Sequence, residues 1–241
     1  MSVPARANTG ASTRGSQAVS YWLSGNQIMY RVIEKYAGEV VSKIGHSYVT
    51  EYLWLLDNPD KVLGDKYQRI YRNFWAMNAA FPTPAFCDKY FSLLDNALKN
   101  PQNPPTLTDV VKTLYPLTER ITKRGKTEPF PPFSFATKLL HMTNTMLPVY
   151  DKWVVGFYFL RKPTLTKRGG GVDGQIADYV KLHNFLIGEY ARILGSGLLS
   201  KAIEEFENRK SRRFSKEKII DSLIWAFAGN SLLQTKEAVY G

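Results

Sequence analysis

Two side chains stand out as able to do chemistry, Lys138 and Asp151. The run Pro129-Phe130-Pro131-Pro132-Phe133-Ser134-Phe135-Ala136-Thr137-Lys138-Leu139-Leu140-His141 leads on to Leu147-Pro148-Val149-Tyr150-Asp151-Lys152-Trp153-Val154-Val155. An amine held among apolar neighbours loses hydration, so its pKa falls and the neutral, nucleophilic form becomes accessible near neutrality. Phe135, Leu139 and Leu140 predict such a setting for Lys138. A carboxylate close by could steady a developing positive charge or activate a water. The competing reading is structural: Lys138 turned to solvent, and Asp151 capping the helix that follows, since Asp is a favoured N-cap.

The elements that must position this pair follow from backbone chemistry. The prolines of Pro129–Pro132 forbid helix, because each removes a donor and restricts the residue before it. Ser134 is then expected to cap a helix whose apolar residues Phe135, Leu139, Leu140 and Met142 follow helical spacing. Pro148 stops that helix and Asp151 opens the next, with Trp153, Val154, Val155 and Phe157 following. A lysine early in one helix and an aspartate starting the next can therefore approach each other.

Proline-rich turn, helix with an early lysine, Pro-Val-Tyr-Asp and a second apolar helix together resemble the catalytic segment of helix-hairpin-helix DNA glycosylases, over roughly residues 129–159. The resemblance implies a glycosylase-like fold with the active site between two lobes. It also implies that Lys138 occupies the place of the lysine that attacks the sugar, and Asp151 that of the essential carboxylate. The partner would be DNA, acted on by a monomer in the cytoplasm or nucleoid, with neither cofactor nor metal. Phe133 and Phe135 would wall the pocket for an extracted base, with His141 and Tyr150 as hydrogen-bonding groups within it. Phosphates would fall to Arg124, Lys126, Ser134, Thr137, Lys152, Lys162, Lys167 and Arg168. Pro132–Ala136 holds no glycine, which implies a grip on DNA unlike the family norm. Apolar surroundings point to a modified base, of the bulky kind found in modified viral genomes, rather than plain uracil or 8-oxoguanine.

Composition sets the outer bounds. The chain has 241 residues, and Lys+Arg of 32 against Asp+Glu of 21 gives a net charge of +11. Such an excess favours polyanionic partners, nucleic acid or an anionic membrane surface. No apolar run is long enough to span a bilayer. One cysteine, Cys87, excludes an internal disulfide, and its apolar helical setting suggests a buried thiol. His46, His141 and His183 show no ligand spacing, so no metal is expected.

No segment sustains a two-residue alternation, and helical apolar spacing recurs from end to end, so the expected class is all-α. A Ser-, Ala- and Gly-rich opening reads as a disordered tail over 1–19. Lys99-Asn100-Pro101-Gln102-Asn103-Pro104-Pro105 is the clearest linker, dividing a helical lobe over 20–99 from a second over 106–241 that carries Lys138 and Asp151. Asp60, Thr108 with Asp109, and Ser215 are expected helix starts. The helix after the linker is expected to end in the basic run Arg120–Lys126, capped by Gly125. Arg161–Gly171 reads as a mobile basic loop, and Arg209–Lys218 as a further candidate for phosphates. The alternative to an enzyme is a basic helical module that binds nucleic acid without acting on it.

Overall fold

The computed structural model describes residues 27–80, 82–118, 120–121, 127–159 and 171–229. It is all-helical apart from a two-residue antiparallel ladder. The helices are α1 (27–35), α2 (Ala37–Ser42), α3 (His46–Asp57), α4 (Asp65–Phe74), α5 (Pro84–Lys99) and α6 (Leu107–Leu114), then α7 (Phe133–Thr143), α8 (Lys152–Phe159), α9 (Gly171–Gly195), α10 (Ser200–Arg209) and α11 (Lys216–Ala228). The tail over 1–19, Gly125 and the loop residues 161–170 lie outside the described residues.

α7 is the innermost of these. Phe133 and every residue from Phe135 to Met142 are buried, which leaves no face for solvent. A helix buried all round is normally apolar throughout, so Lys138 is an exception that needs a reason. α5 and α6 pack on α7, while α8 lies along α11. The N-terminal helices return to the C-terminal ones: α2 packs against α10 and α11. Glu34 of α1 fixes that return by accepting the amides of Lys201 and Ala202 at 2.8 and 3.0 Å, two of the orphan donors at the start of α10. Buried hydrophobic residues form one cluster running from Tyr30 to Phe227.

Several helix boundaries differ from those the sequence suggests. Asp60 does not cap α4: Pro59–Lys61 forms a short 3₁₀ turn, and Gly64 holds the N-cap position. Thr106 rather than Thr108 starts α6, through a reciprocal capping box with Asp109. α6 does not run into the basic segment. Pro116 lacks an amide hydrogen and clashes with the preceding turn, so the chain tightens into a 3₁₀ turn over Tyr115–Leu117. The ladder then pairs Arg120 with Glu128 and Ile121 with Thr127. Ser134 lies inside α7, and Pro132 occupies its N-cap without a side-chain hydrogen bond. Thr118 anchors the segment that leads into α7, donating to the Phe130 carbonyl at 2.5 Å and accepting from its amide at 3.2 Å. Ser215 does cap α11, accepting from the amide of Lys218.

Candidate active site

Four consecutive residues, Pro148 to Asp151, are held one by one. His183 Nε2 faces the Pro148 carbonyl at 3.2 Å, and burial lowers its pKa, so the neutral ring donates there. The Val149 amide donates to Asp221 Oδ2 at 3.1 Å. The Tyr150 amide donates to Thr137 Oγ1 at 3.1 Å. Asp151 Oδ1 accepts the amides of Trp153 and Val154 at 2.8 and 2.9 Å, which caps α8. That leaves Oδ2 without a protein donor among the described residues. The tripeptide before the aspartate is thus a rigid mount, and its supports come from α7, α9 and α11.

Asp151 and Lys138 line the same cavity, of about 890 Å³. Its walls come from α3 and α4 on one side and from α7, α8 and α11 on the other, with Tyr48, Phe74, Trp75, Tyr150, Trp153 and Trp225 supplying aromatic surface. Lys138 donates from Nζ to the Trp75 carbonyl at 2.9 Å. Burial lowers its pKa to about 8, with the Asp151 carboxylate opposing that shift and the Lys218 ammonium adding to it. An amine with such a pKa is partly neutral at physiological pH and so a usable nucleophile. Lys138 and Asp151 act on each other across the cavity rather than as a contact ion pair. Ala76, next to Trp75, has φ of 51°, in the left-handed region that a side chain disfavours. That turn is what aims the Trp75 carbonyl at Lys138.

Phe135 and Tyr150 line the cavity with Lys138 and Asp151, as do Ser134 and Lys152. Phe133 does not: its ring stacks on Tyr179 at 4.3 Å and packs on Tyr150 at 4.4 Å, behind the wall. His141 is also behind it and fully buried. Its Nδ1 donates to the Leu147 carbonyl at 2.7 Å, so the neutral ring accepts from Tyr52 at Nε2, at 2.8 Å. Burial pushes its pKa down to about 3, which keeps it neutral. Thr137 is fully buried and spends its hydroxyl on the backbone of Ser134 and Tyr150, so it faces no phosphate. Arg124, Lys126, Lys162, Lys167 and Arg168 lie outside the described residues.

Three cations at the end of α10 and in the turn after it are engaged within the fold, while among the described residues Arg212 meets only the neutral Asn208 side chain. Arg209 pairs with Glu205 at 2.6 Å, Lys210 donates to the Ile44 carbonyl at 2.5 Å, and Arg213 grips Asp57. Lys152 instead presents an exposed cation at the cavity, over the Trp153 ring at 4.5 Å.

Two cavity residues, Trp75 and Asp221, carry no mark in the sequence as site residues, and Lys218, expected only as the end of a basic stretch for phosphates, lies instead among aromatic rings. Lys218 is 2% exposed and Asp221 5%. Asp221 also accepts from the Tyr190 hydroxyl at 2.5 Å; burial raises its pKa to about 7, against the pull of Lys218. Lys218, Asp221, Ser222 and Trp225 share one stripe at helical spacing on a helix that is otherwise apolar after Lys216 and Glu217. In sequence that stripe reads as a solvent face; in the fold Lys218, Asp221 and Trp225 line the cavity, and Ser222 bonds the Tyr48 hydroxyl behind them. Compared with protein-family models, curated proteins and solved structures, the chain has no match. Among the described residues no helix is long and apolar enough to cross a membrane.

Proposed function

We propose that this chain is a DNA N-glycosylase, which draws a modified base into the cavity and cuts the bond joining it to the sugar. The observation that carries this reading is the convergence of a buried amine and a carboxylate, from separate helices, on one cavity with aromatic walls. A volume of about 890 Å³ falls among small-molecule sites, ~300–1,000 Å³, and leaves room for an enlarged base. The aromatic rings offer stacking surfaces to a base taken out of the duplex. The two walls would belong to the two lobes, with DNA lying across the opening and Lys152 at a phosphate.

As the C1′–N bond breaks, the sugar becomes cationic. Asp151 has an oxygen free of backbone amides to face that charge or to take a proton from water. Lys138 in its neutral form offers a second course, attack on C1′ with an imine to follow. Its hydrogen bond to Trp75 holds the amine at the cavity wall while leaving its lone pair available.

A second reading has its own support. Lys138 meets the carbonyl at the C-terminal end of α4, where a cation suits the helix dipole, and Asp151 caps α8. Both could be structural in a module that only binds nucleic acid. Duplexes carrying enlarged bases decide between the two. Under the glycosylase reading they acquire alkali-labile sites, and Asp151→Asn, which can still cap, stops this without loss of DNA affinity. If Lys138 attacks, borohydride traps a protein–DNA adduct that Lys138→Gln loses; if water attacks, abasic DNA accumulates with no adduct. Under the binding reading no abasic product forms at all.

A further inference from the structure

Among the described residues Lys218 is a buried cation with neither a hydrogen-bond acceptor nor a contact ion pair, although its charge acts on the Asp221 carboxylate. Its Nζ lies 4.4 Å from the ring centre of Trp75, 5.3 Å from Tyr52, and 5.5 Å from both Tyr48 and Phe74. Its hydrogen bonds are made by its backbone alone, the amide to Ser215 Oγ and the carbonyl from Ser222 Oγ. Among the described residues the ammonium has no acceptor and no ion-pair partner. Asp221, one turn along α11, has Oδ1 engaged by Tyr190 and Oδ2 by the Val149 amide. The other charged group acting on it from α7 is Lys138, of like sign. Ring faces attract a cation without offering lone pairs to its N–H groups, and a buried charge left unpaired is costly. Such an arrangement is stable in function when a ligand completes it, and Lys218 lines the cavity.

We propose that Lys218 binds the leaving base, by donating to the electron-rich edge of a flat ring stacked among Tyr48, Phe74, Trp75 and Trp225. This assignment rests on the glycosylase reading and names the group that acts on the side of the bond opposite Asp151. When the C1′–N bond breaks, its electron pair stays on the base nitrogen. Lys218 stabilises the resulting anion and passes it a proton as it departs. Water adds to C1′ and gives its proton to Asp151, from which solvent returns it to Lys218. The sugar gains a hydroxyl, the base gains a hydrogen, and both side chains end as they began. A phosphate would not suit this place, because it calls for several converging donors and the neighbours of Lys218 are ring faces.

Binding can be read without catalysis, since Trp75, Trp153 and Trp225 line the cavity and report through their fluorescence. The probes are 5-fluorouracil, whose ring N–H ionises readily; caffeine, a flat ring system with no acidic N–H; and inorganic phosphate. Saturable quenching by 5-fluorouracil is expected, tightening as pH rises through its ionisation, with caffeine weaker and phosphate unable to compete. Lys218→Met should lose about tenfold in affinity for 5-fluorouracil and its pH dependence, the size of one charge-assisted hydrogen bond, and Lys218→Arg should keep both. In excision, Lys218→Met should slow release about a hundredfold for a poorly acidic base and much less for 5-fluorouracil, as for loss of a general acid. The inference is overturned by absent quenching in the wild-type chain, by equal binding in Lys218→Met at a melting temperature no lower than wild type, or by displacement with phosphate. Excision that ignores Lys218→Met also overturns it while the glycosylase reading stands; intact binding without any abasic product sinks that reading instead.

Discussion

Two buried polar regions of this molecule are built on opposite plans. Between α1, α8 and α9, Tyr30 donates to Glu189 at 2.8 Å and meets the Tyr158 hydroxyl at 2.9 Å. Arg192 closes that group with two bonds of 2.7 Å, one to each oxygen of Glu189. Every group there has a partner, and a closed network of this kind holds helices in register. Around the cavity the opposite holds. Lys218 has no acceptor, Trp75 Nε1 is buried without one, Asp151 spends one oxygen on a cap, and Lys138 has one carbonyl. Unmet hydrogen-bonding capacity is rare in cores; among the described residues most of it lines the cavity, with the buried Tyr67 hydroxyl as an exception away from it. The difference separates polar groups kept for the fold from polar groups kept for a ligand.

Breaking each region should therefore give opposite signatures. The largest effect expected is at Asp151. Asp151→Asn should lower excision at least ~10³-fold, about 4 kcal/mol in the barrier, with a melting temperature close to wild type because Asn caps as well as Asp. Next comes the closed network: Glu189→Ala should cost about 3 kcal/mol of stability, through a stranded Arg192 and the loss of the carboxylate that the Tyr30 hydroxyl bonds, with per-molecule excision unchanged. Thermal melts beside single-turnover rates check both.

Lys138 should show itself in pH dependence. Its pKa falls from 10.5 unfolded to about 8 folded, so between those values the unfolded chain binds more protons. Stability contributed by this group therefore rises as pH climbs from about 8 to 10.5, and Lys138→Met should flatten that rise. Excision that depends on the neutral amine should climb about tenfold per pH unit below that pKa and level above it. The smallest stability effect concerns Lys218: removing a buried charge that has no contact ion pair among the described residues should raise stability, by about 1 kcal/mol in Lys218→Met. A loss of stability there would mean that the aromatic box depends on the ammonium, and would place Lys218 with the structural groups.

The sequence announces Lys138 and Asp151 better than the other residues that line the cavity with them. Lys138 and Asp151 are legible because prolines and capping chemistry fix where their helices start, within a residue or two. Asp221 and Trp75 are not, and Lys218 shows only as the end of a basic stretch, since all three lie more than 60 residues from Asp151. Nothing local distinguishes a polar stripe facing a cavity from one facing water. Phe133 and His141 mislead for the same reason. Each sits beside the motif in sequence, yet α7 is buried on every side, so half of its neighbours point away from the cavity. The all-helical class is readable from periodicity, whereas the turn at Pro116 and the ladder at Arg120–Glu128 interrupt a helix that apolar spacing alone would have extended.

The measurement that bears most directly on the central claim is the mass of a duplex oligonucleotide before and after incubation, with one enlarged pyrimidine in one strand. The account predicts loss of the mass of that base from its strand, replaced by a hydroxyl, with wild-type protein and none with Asp151→Asn at equal DNA occupancy. Unchanged strand masses across a panel of modified bases, with DNA demonstrably bound, would contradict it.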